Sequence, residues 1–397
     1  MIVDIGSSST KIGFTGDDVP SWVIPTSVDR GKGDKDANAV ENVGFNPSKD
    51  LEREDTAPSG VLMHRGQVHD WDEMEKFWET ITNEVGMNTV NVEKTPVLLI
   101  DSPLSKISDR VKWAEILFEG YHVPSICIGN SASLSVFAAG RATGVVVDIG
   151  GGLMTAVPVF EGLALMHACV EMDYAGMDIT GRLKKTLLDQ SGINLSFADA
   201  RTLKERFAYV SKTAPTPLPT MKRRGTKSKD ASTEPAPESI NVFLPDGTEC
   251  TIDQRIFGDC TEGLMKNKES TFGGLSKSVY ESLVLCDNSI MGELKNNIII
   301  SGGTSMLTGL GDRLTNDLNE FFENGRDGEA QLDGTAGTQL RVMPSSFHRE
   351  SGYTNQRKYA AWQGGSIFAS FESFKNLRVT RQEFEEGVES SLLAKCF

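Results

Sequence analysis

Residues 1–14 read MIVDIGSSSTKIGF, and residues 145–160 read VVVDIGGGLMTAVPVF. The tetrapeptide Val-Asp-Ile-Gly stands in both, as Val3-Asp4-Ile5-Gly6 and as Val147-Asp148-Ile149-Gly150, with an offset of 144 residues. Each copy closes an apolar run, passes through small residues (Ser7, Ser8 and Ser9, or Gly151 and Gly152) and returns to an apolar stretch. The shared pattern is strand, tight turn, strand, and two copies this far apart predict two lobes of similar design. Small residues let backbone N–H groups close on phosphate oxygens. An aspartate at the strand end offers a hard oxygen to Mg²⁺ or to its waters. Taken singly, each copy reads as an ordinary hairpin turn with Asp as the turn former; taken together they read as phosphate binding.

A third glycine-rich turn, Ser301-Gly302-Gly303-Thr304, follows the apolar run Asn297-Ile298-Ile299-Ile300 and precedes Leu310, Leu314, Leu318 and Phe321 at helical spacing. A strand passing through Gly-Gly into a helix start aims backbone N–H groups and the helix dipole at an anion; a plain strand-to-helix turn is the competing reading. Three other segments predict helices. Residues 72–85 put Met74, Phe77, Trp78, Ile81 and Val85 on one face, and residues 179–188 carry Ile179, Leu183 and Leu187. Ser108 predicts the N-cap of a helix through Val111, Ala114, Leu117 and Phe118. These stripes are core faces and receive no chemistry. Strands alternating with helices predict an α/β architecture.

A chain of 397 residues exceeds one compact core and suits two large lobes. No apolar run approaches the ~18 residues of a membrane span, and the N-terminus lacks the basic and apolar regions of a secretory signal. The six cysteines are scattered, none in a C-x-x-C pair, and histidines number five. That composition argues against a zinc site and fits a reducing compartment. A formal charge of −15 repels nucleic acid, so no direct specific nucleic-acid binding is expected, and no membrane partner. Residues 212–238 hold five of the fifteen prolines and no aromatic residue, and predict an extended exposed loop. Inside it, residues 221–229 read MKRRGTKSK, a nuclear import signal, a patch for an acidic partner, or a solvated run with no partner. Residues 324–338, rich in Gly and Asp, predict a second surface loop.

These motifs resemble the actin family along nearly the whole chain. The similarity is strongest at residues 3–14, 71–78 (WDEMEKFW), 137–158 (FAAGRATGVVVDIGGGLMTAVP), 301–313 (SGGTSMLTGLGDR) and 358–397, the last with KYAAWQGGSIFAS and the closing KCF. The resemblance implies an α/β actin/hexokinase/Hsp70-type ATPase fold, with two lobes of four subdomains around a central nucleotide cleft. The first subdomain would take residues 1–27, 62–138 and 359–397, and the second residues 28–61. The third would take 139–174 and 276–358, and the fourth 175–275 with the Pro-rich basic insertion at 212–240. It also implies ATP or ADP with Mg²⁺ or Ca²⁺. Gly6, Ser7, Ser8 and Lys11 would cradle the phosphates with Gly150, Gly151 and Gly152, while Asp4 and Asp148 hold the cation through water. Gly176, Lys204 and Glu205 would line the nucleoside side, Gly302, Gly303, Thr304 and Met306 would close over it, and Lys358 and Tyr359 would flank the base.

The chain departs from the family where actins handle the attacking water. Ser131 replaces a glutamine, with Asn130 beside it as a substitute; Gly151 replaces an aspartate; Thr155 replaces a histidine. General-base help is typically worth roughly 10²–10⁴-fold, so tight nucleotide binding with slow or absent turnover is expected. The assembly surfaces differ too. Residues 32–57 are highly charged where actins grip the next subunit, and in the plug-like loop 265–274 only Met265 and Phe272 are large and apolar. Filament contacts need a buried apolar anchor. The leading expectation is a nucleotide-clamped structural subunit read by partner proteins of an actin-containing or actin-related complex, including actin itself. The alternative is a filament-forming ATPase, and a third is a small-molecule phosphotransferase, for which no acidic base in a sugar-kinase context is found. The compartment expected is cytoplasm, with its cytoskeleton, or nucleus, as in chromatin-remodelling relatives; the basic run at 222–229 tilts towards the nucleus.

Overall fold

The computed structural model describes residues 1–26, 62–84, 91–213, 239–243, 247–266, 273–324, 340–346 and 351–396. The expected second subdomain, the basic run, most of the proline-rich loop and of the plug-like loop, and the acidic loop after residue 324 lie outside them, as does Val85. Two mixed sheets dominate. In the first lobe β1 (Ile2–Ile5) pairs antiparallel with β2 (Ser9–Gly13), and β2 with β3 (Trp22–Pro25). A small hairpin, β4 (Met63–His64) and β5 (Gln67–Val68), stands apart. Strands β6 (Val97–Asp101) and β7 (Ser125–Asn130) add to β1 in parallel. In the second lobe β8 (Gly144–Ile149) pairs antiparallel with β9 (Met154–Phe160), which carries β10 (Leu163–Ala164) and β11 (Val170–Met172). A separate hairpin joins β12 (Ser239–Phe243) to β13 (Glu249–Asp253). Strands β14 (Ile298–Ser301) and β15 (Val342–Met343) then add to β8 in parallel, and β16 (Val379–Thr380) returns to edge β7.

The two sheets are built alike, and the match is one of register. Val3 pairs with Ile12 and Asp4 with Lys11 in β1–β2; Val147 pairs with Ala156 and Asp148 with Thr155 in β8–β9. The same offset of 144 therefore relates both strands of both hairpins, as the sequence repeat predicts. Each central strand is apolar on both faces (Ile2, Val3 and Ile5; Val145, Val146, Val147 and Ile149 are all buried), because helices cover both sides.

One face of each sheet packs on its own lobe's helices. Trp71–Glu84 starts where Asp70 Oδ1 accepts the N–H groups of Asp72 and Glu73, and it buries Met74, Phe77, Trp78 and Ile81 as the periodicity predicts. The helix expected to be capped by Ser108 begins earlier, at Ile107, with Lys106 in the cap position and no side-chain cap. Ile107 packs against the first-lobe core, and that burial draws the start forward. The inner faces of the two sheets meet on helices Ser131–Ala138 and Ala360–Ser370. Leu134 and Trp362 pack on Ile2, Leu98 and Ile100 of the first sheet; Ala132 and Val136 pack on Val146, Val157 and Ile299 of the second. Trp362 also donates its indole N–H to the Ile2 carbonyl at 3.3 Å. These helices touch so closely that a Cβ on Gly364 would lie 1.7 Å from the Leu134 carbonyl oxygen. Met265, one of two apolar residues noted in the plug-like loop, is buried in the second-lobe core at the end of helix Glu262–Met265 and offers no surface anchor.

Candidate functional site

The β1–β2 and β8–β9 turns point at each other across one cleft. Each is closed by the same backbone bond: Gly6 N–H to the Ser9 carbonyl at 3.2 Å, and Gly150 N–H to the Leu153 carbonyl at 2.9 Å. No group among the described residues accepts a hydrogen bond from the N–H of Ser7, Ser8, Gly151 or Gly152. The turns nearly touch. A Cβ on Gly151 would come 2.8 Å from Ser8 Cβ, and one on Gly152 would come 3.2 Å from Ser7 Oγ.

The paired aspartates sit at the cleft floor and take different partners, for a reason legible in the register. Asp4 lies opposite Lys11 on β2, and its Oδ2 is 3.1 Å from Lys11 Nζ. The same Nζ stands over the first turn, 3.2 Å from where a Gly6 Cβ would be. Asp148 lies opposite Thr155, which has no charge to offer. Its neighbour on the other side is Ser301, where Asp4 has Ile100, and Ser301 Oγ donates to Asp148 Oδ1 at 2.7 Å. Burial pushes the Asp148 carboxyl above the usual aspartate range; the Ser301 hydrogen bond works against this and the nearby Asp4 carboxylate adds to it.

The second turn is tied to two further elements. Gly150 and Gly151 carbonyls accept from the N–H groups of Gly176 and Met177, which open helix Gly176–Ser191, and Thr304 Oγ1 also donates to Gly150 O at 2.8 Å. Lys204 Nζ donates to Gly176 O at 2.9 Å, and burial lowers this lysine to a pKa of about 8. Glu205, next to it, pairs with Arg201 at 2.9 Å. Gly302 adopts φ +87 and packs against Ile149 so tightly that a Cβ would come 2.5 Å from the Ile149 carbonyl oxygen. The expected helix start behind Gly302-Gly303 is displaced. A single short turn, Gly303–Met306, follows, and the α-helix begins only at Leu310. Residues 307–309 are held back because Thr308 O accepts from Val210 N–H and Gly309 is wedged against Val210 O. No long helix dipole reaches the cleft from this element.

Around the turns lies a cavity of about 650 Å³, within the roughly 300–1,000 Å³ typical of small-molecule sites. Every residue named above for nucleotide or cation lines it, from Asp4 and Lys11 in the first lobe through Gly150, Gly176, Lys204 and Glu205 to Gly302, Met306, Lys358 and Tyr359. Lys358 Nζ rests 4.8 Å above the Tyr359 ring. Ser131 and Thr155 line it too. Asn130 does not substitute for the missing amide: it is buried, and its Oδ1 caps helix Ser131–Ala138 by accepting from Ala132 and Ser133.

The family model described as Actin matches residues 1–198 and 199–397. The chain belongs to the actin family. Actin-family proteins bind ATP or ADP with a divalent cation, and the donor set of this member suits that pairing. Among the described residues no group of three or more His, Cys, Asp or Glu side chains is placed to hold a metal. Two carboxylates alone suit a hard cation that keeps its waters and leans on phosphate oxygens. Among the described residues of this actin-family chain no helix is long and apolar enough to cross a membrane. Two residues that serve the turns carry no chemical signature in the sequence: Ser301, buried behind Asp148, and Arg65, which lines the cavity. Ser301 stood in a quoted motif, yet its role depends on which strand lies beside β8. Arg65 stands before a glycine, but nothing local says that it reaches the other lobe.

Proposed function

We propose that this actin-family chain is a nucleotide-clamped structural subunit: ATP with Mg²⁺ or Ca²⁺, held between the two turns, sets the lobe arrangement that partner proteins read. The observation that carries the reading is the meeting of two like-built turns, one from each lobe, with Asp4, Asp148 and Lys11 lining a single cavity. The nucleotide would supply the negative charge that joins the turns; Lys11 and the N–H groups of Ser7, Ser8, Gly151 and Gly152 are the donors that would face it. Asp4 and Asp148 would accept from the waters of the cation.

Slow or absent hydrolysis belongs to the same reading. Ser131 is short, Gly151 bears no side chain, and Thr155 cannot take a proton near neutral pH, so these positions offer no base to an attacking water. Protein partners follow from the family, and we place them in an actin-containing or actin-related complex, with the nucleus as the compartment to test first. The test is to purify the chain, identify the nucleotide that travels with it, and measure phosphate release and sedimentation on the same sample. Bound ATP, little phosphate and no pelleting are expected. Actin-like turnover with pelleting filaments would turn the reading into that of a cytoskeletal ATPase.

A further inference from the structure

Away from the cleft, helix Arg381–Lys395 brings one cysteine onto another. Strand β16 covers the outer edge of β7 only at Ser125 and Ile126. A buried N–H beyond that point needs an acceptor, and Cys396 supplies it: from the C-terminal end of the helix its Sγ accepts from the Ile128 N–H at 3.3 Å. Neighbours hold this end of the helix in place. Leu392 is buried, and Lys395 Nζ donates to the Arg378 carbonyl at 3.0 Å and pairs with Glu383. The residue before Ile128 is Cys127, so the same placement brings the two sulfurs together. The Cys127 thiol donates to the Cys396 sulfur; with burial, this holds Cys127 well above the usual thiol range. The same bond draws Cys396 below that range; burial and Asp101 oppose this, while the Ile128 N–H and the Arg110 guanidinium add to it. The other buried thiols behave differently. Burial pushes Cys169 and Cys286 up to about 11 and Cys260 up to about 12, which keeps them protonated and inert. Access sets an order within the pair: Cys396 is 8% exposed and Cys127 is 0% exposed, so a small oxidant meets Cys396 first.

We propose that Cys396 and Cys127 form a reversible disulfide when the chain meets hydrogen peroxide, with Cys396 reacting first and Cys127 resolving it. The Cys396 thiolate attacks one peroxide oxygen and the O–O bond breaks; the sulfur keeps an OH as a sulfenic acid, and the departing hydroxide takes a proton to leave as water. The Cys127 sulfur then attacks the Cys396 sulfur and passes its own proton to the hydroxide that it displaces. An S–S bond and a second water result, and two electrons have passed from the thiol pair to the peroxide. The bond staples helix Arg381–Lys395 to β7. The chain between these points builds the whole second lobe, so the bond closes a very long loop. In a reducing compartment such a bond is transient, formed under oxidant and removed by thiols. The proposal does not rest on the nucleotide reading.

The test treats the full, reduced chain with one equivalent of hydrogen peroxide. Two of the six free thiols should disappear, with the loss of the mass of two hydrogens. Digestion without reductant should yield one peptide pair joined through Cys127 and Cys396, and dithiothreitol should restore both thiols. Hydrogen exchange in residues 388–395 should slow on oxidation, and the melting temperature should rise by several degrees. The wild type alone decides the main point, so the result does not depend on a core variant folding. Variants then check the order. In Cys127→Ala the Cys396 sulfenic acid should persist and be trapped by dimedone; in Cys396→Ala, Cys127 should stay a thiol. A wild type that keeps both thiols, joins Cys396 only to a second chain, or carries Cys396 only as a sulfinic acid overturns the pair. Oxidation of Cys127 in Cys396→Ala overturns the assigned order.

Discussion

Lys204 is a buried lysine whose ammonium has one carbonyl, that of Gly176, to bond, and burial has lowered its pKa from 10.5 to about 8. The sign of its effect on stability follows from proton counting. Below about pH 8 both folded and unfolded chains hold the proton, and the full burial cost is present. Between about 8 and 10.5 the unfolded chain binds more protons than the folded one, so stability rises with pH in that window. Melting the wild type beside Lys204→Met from pH 7 to 10 should show the wild type gaining on the variant above pH 8; a constant difference would contradict the buried-lysine picture. Gly151 makes a second residue-scale expectation. Restoring the aspartate of the family there does not restore hydrolysis, because its Cβ collides with Ser8 Cβ at 2.8 Å and drives the turns apart. Gly151→Asp should weaken ATP binding by about tenfold, a cost near 1.4 kcal/mol, with phosphate release no faster than wild type. A gain in phosphate release would refute it. At this scale the small residues and aspartates of the cleft were legible because their chemistry is local to a turn. Ser301 and Arg65 were not, since each acts on a neighbour that only the assembled sheets or lobes supply.

Elements were legible where burial and periodicity agree. Met74, Phe77, Trp78 and Ile81 announced helix Trp71–Glu84, and the apolar runs around the repeat announced β1, β2, β8 and β9. Boundaries were less so. Ile107 pulls one helix start ahead of Ser108, and the backbone bond from Val210 N–H to the Thr308 carbonyl, with Gly309 wedged against Val210, delays another to Leu310; both are tertiary effects that override a local signal. The pair of helices between the sheets carries the sharpest packing demand. Gly364 lies against the Leu134 carbonyl where no Cβ fits, so Gly364→Ala must separate helices Ser131–Ala138 and Ala360–Ser370. We expect a loss of about 1–3 kcal/mol or more in chemical denaturation, although alanine favours helices. Unchanged or raised stability would show that these helices pack more loosely than described.

At the scale of the molecule, duplication explains the cleft. Two sheets with the same strand order place equivalent turns face to face, and register alone gives one aspartate to each lobe. The sequence carried this as a repeat with an offset of 144, which is why the lobes were legible before any packing was known. What a repeat cannot say is that Asp4 takes its partner from the hairpin and Asp148 from the parallel neighbour. The most direct test asks whether both aspartates serve one cation. ATP would be titrated into nucleotide-free chain, with and without Mg²⁺, for the wild type, Asp4→Asn and Asp148→Asn. One ATP per chain is expected, with Mg²⁺ tightening the wild type and that gain lost in either variant. Two binding sites, or a Mg²⁺ effect that survives in one variant, would contradict a single site shared between the lobes.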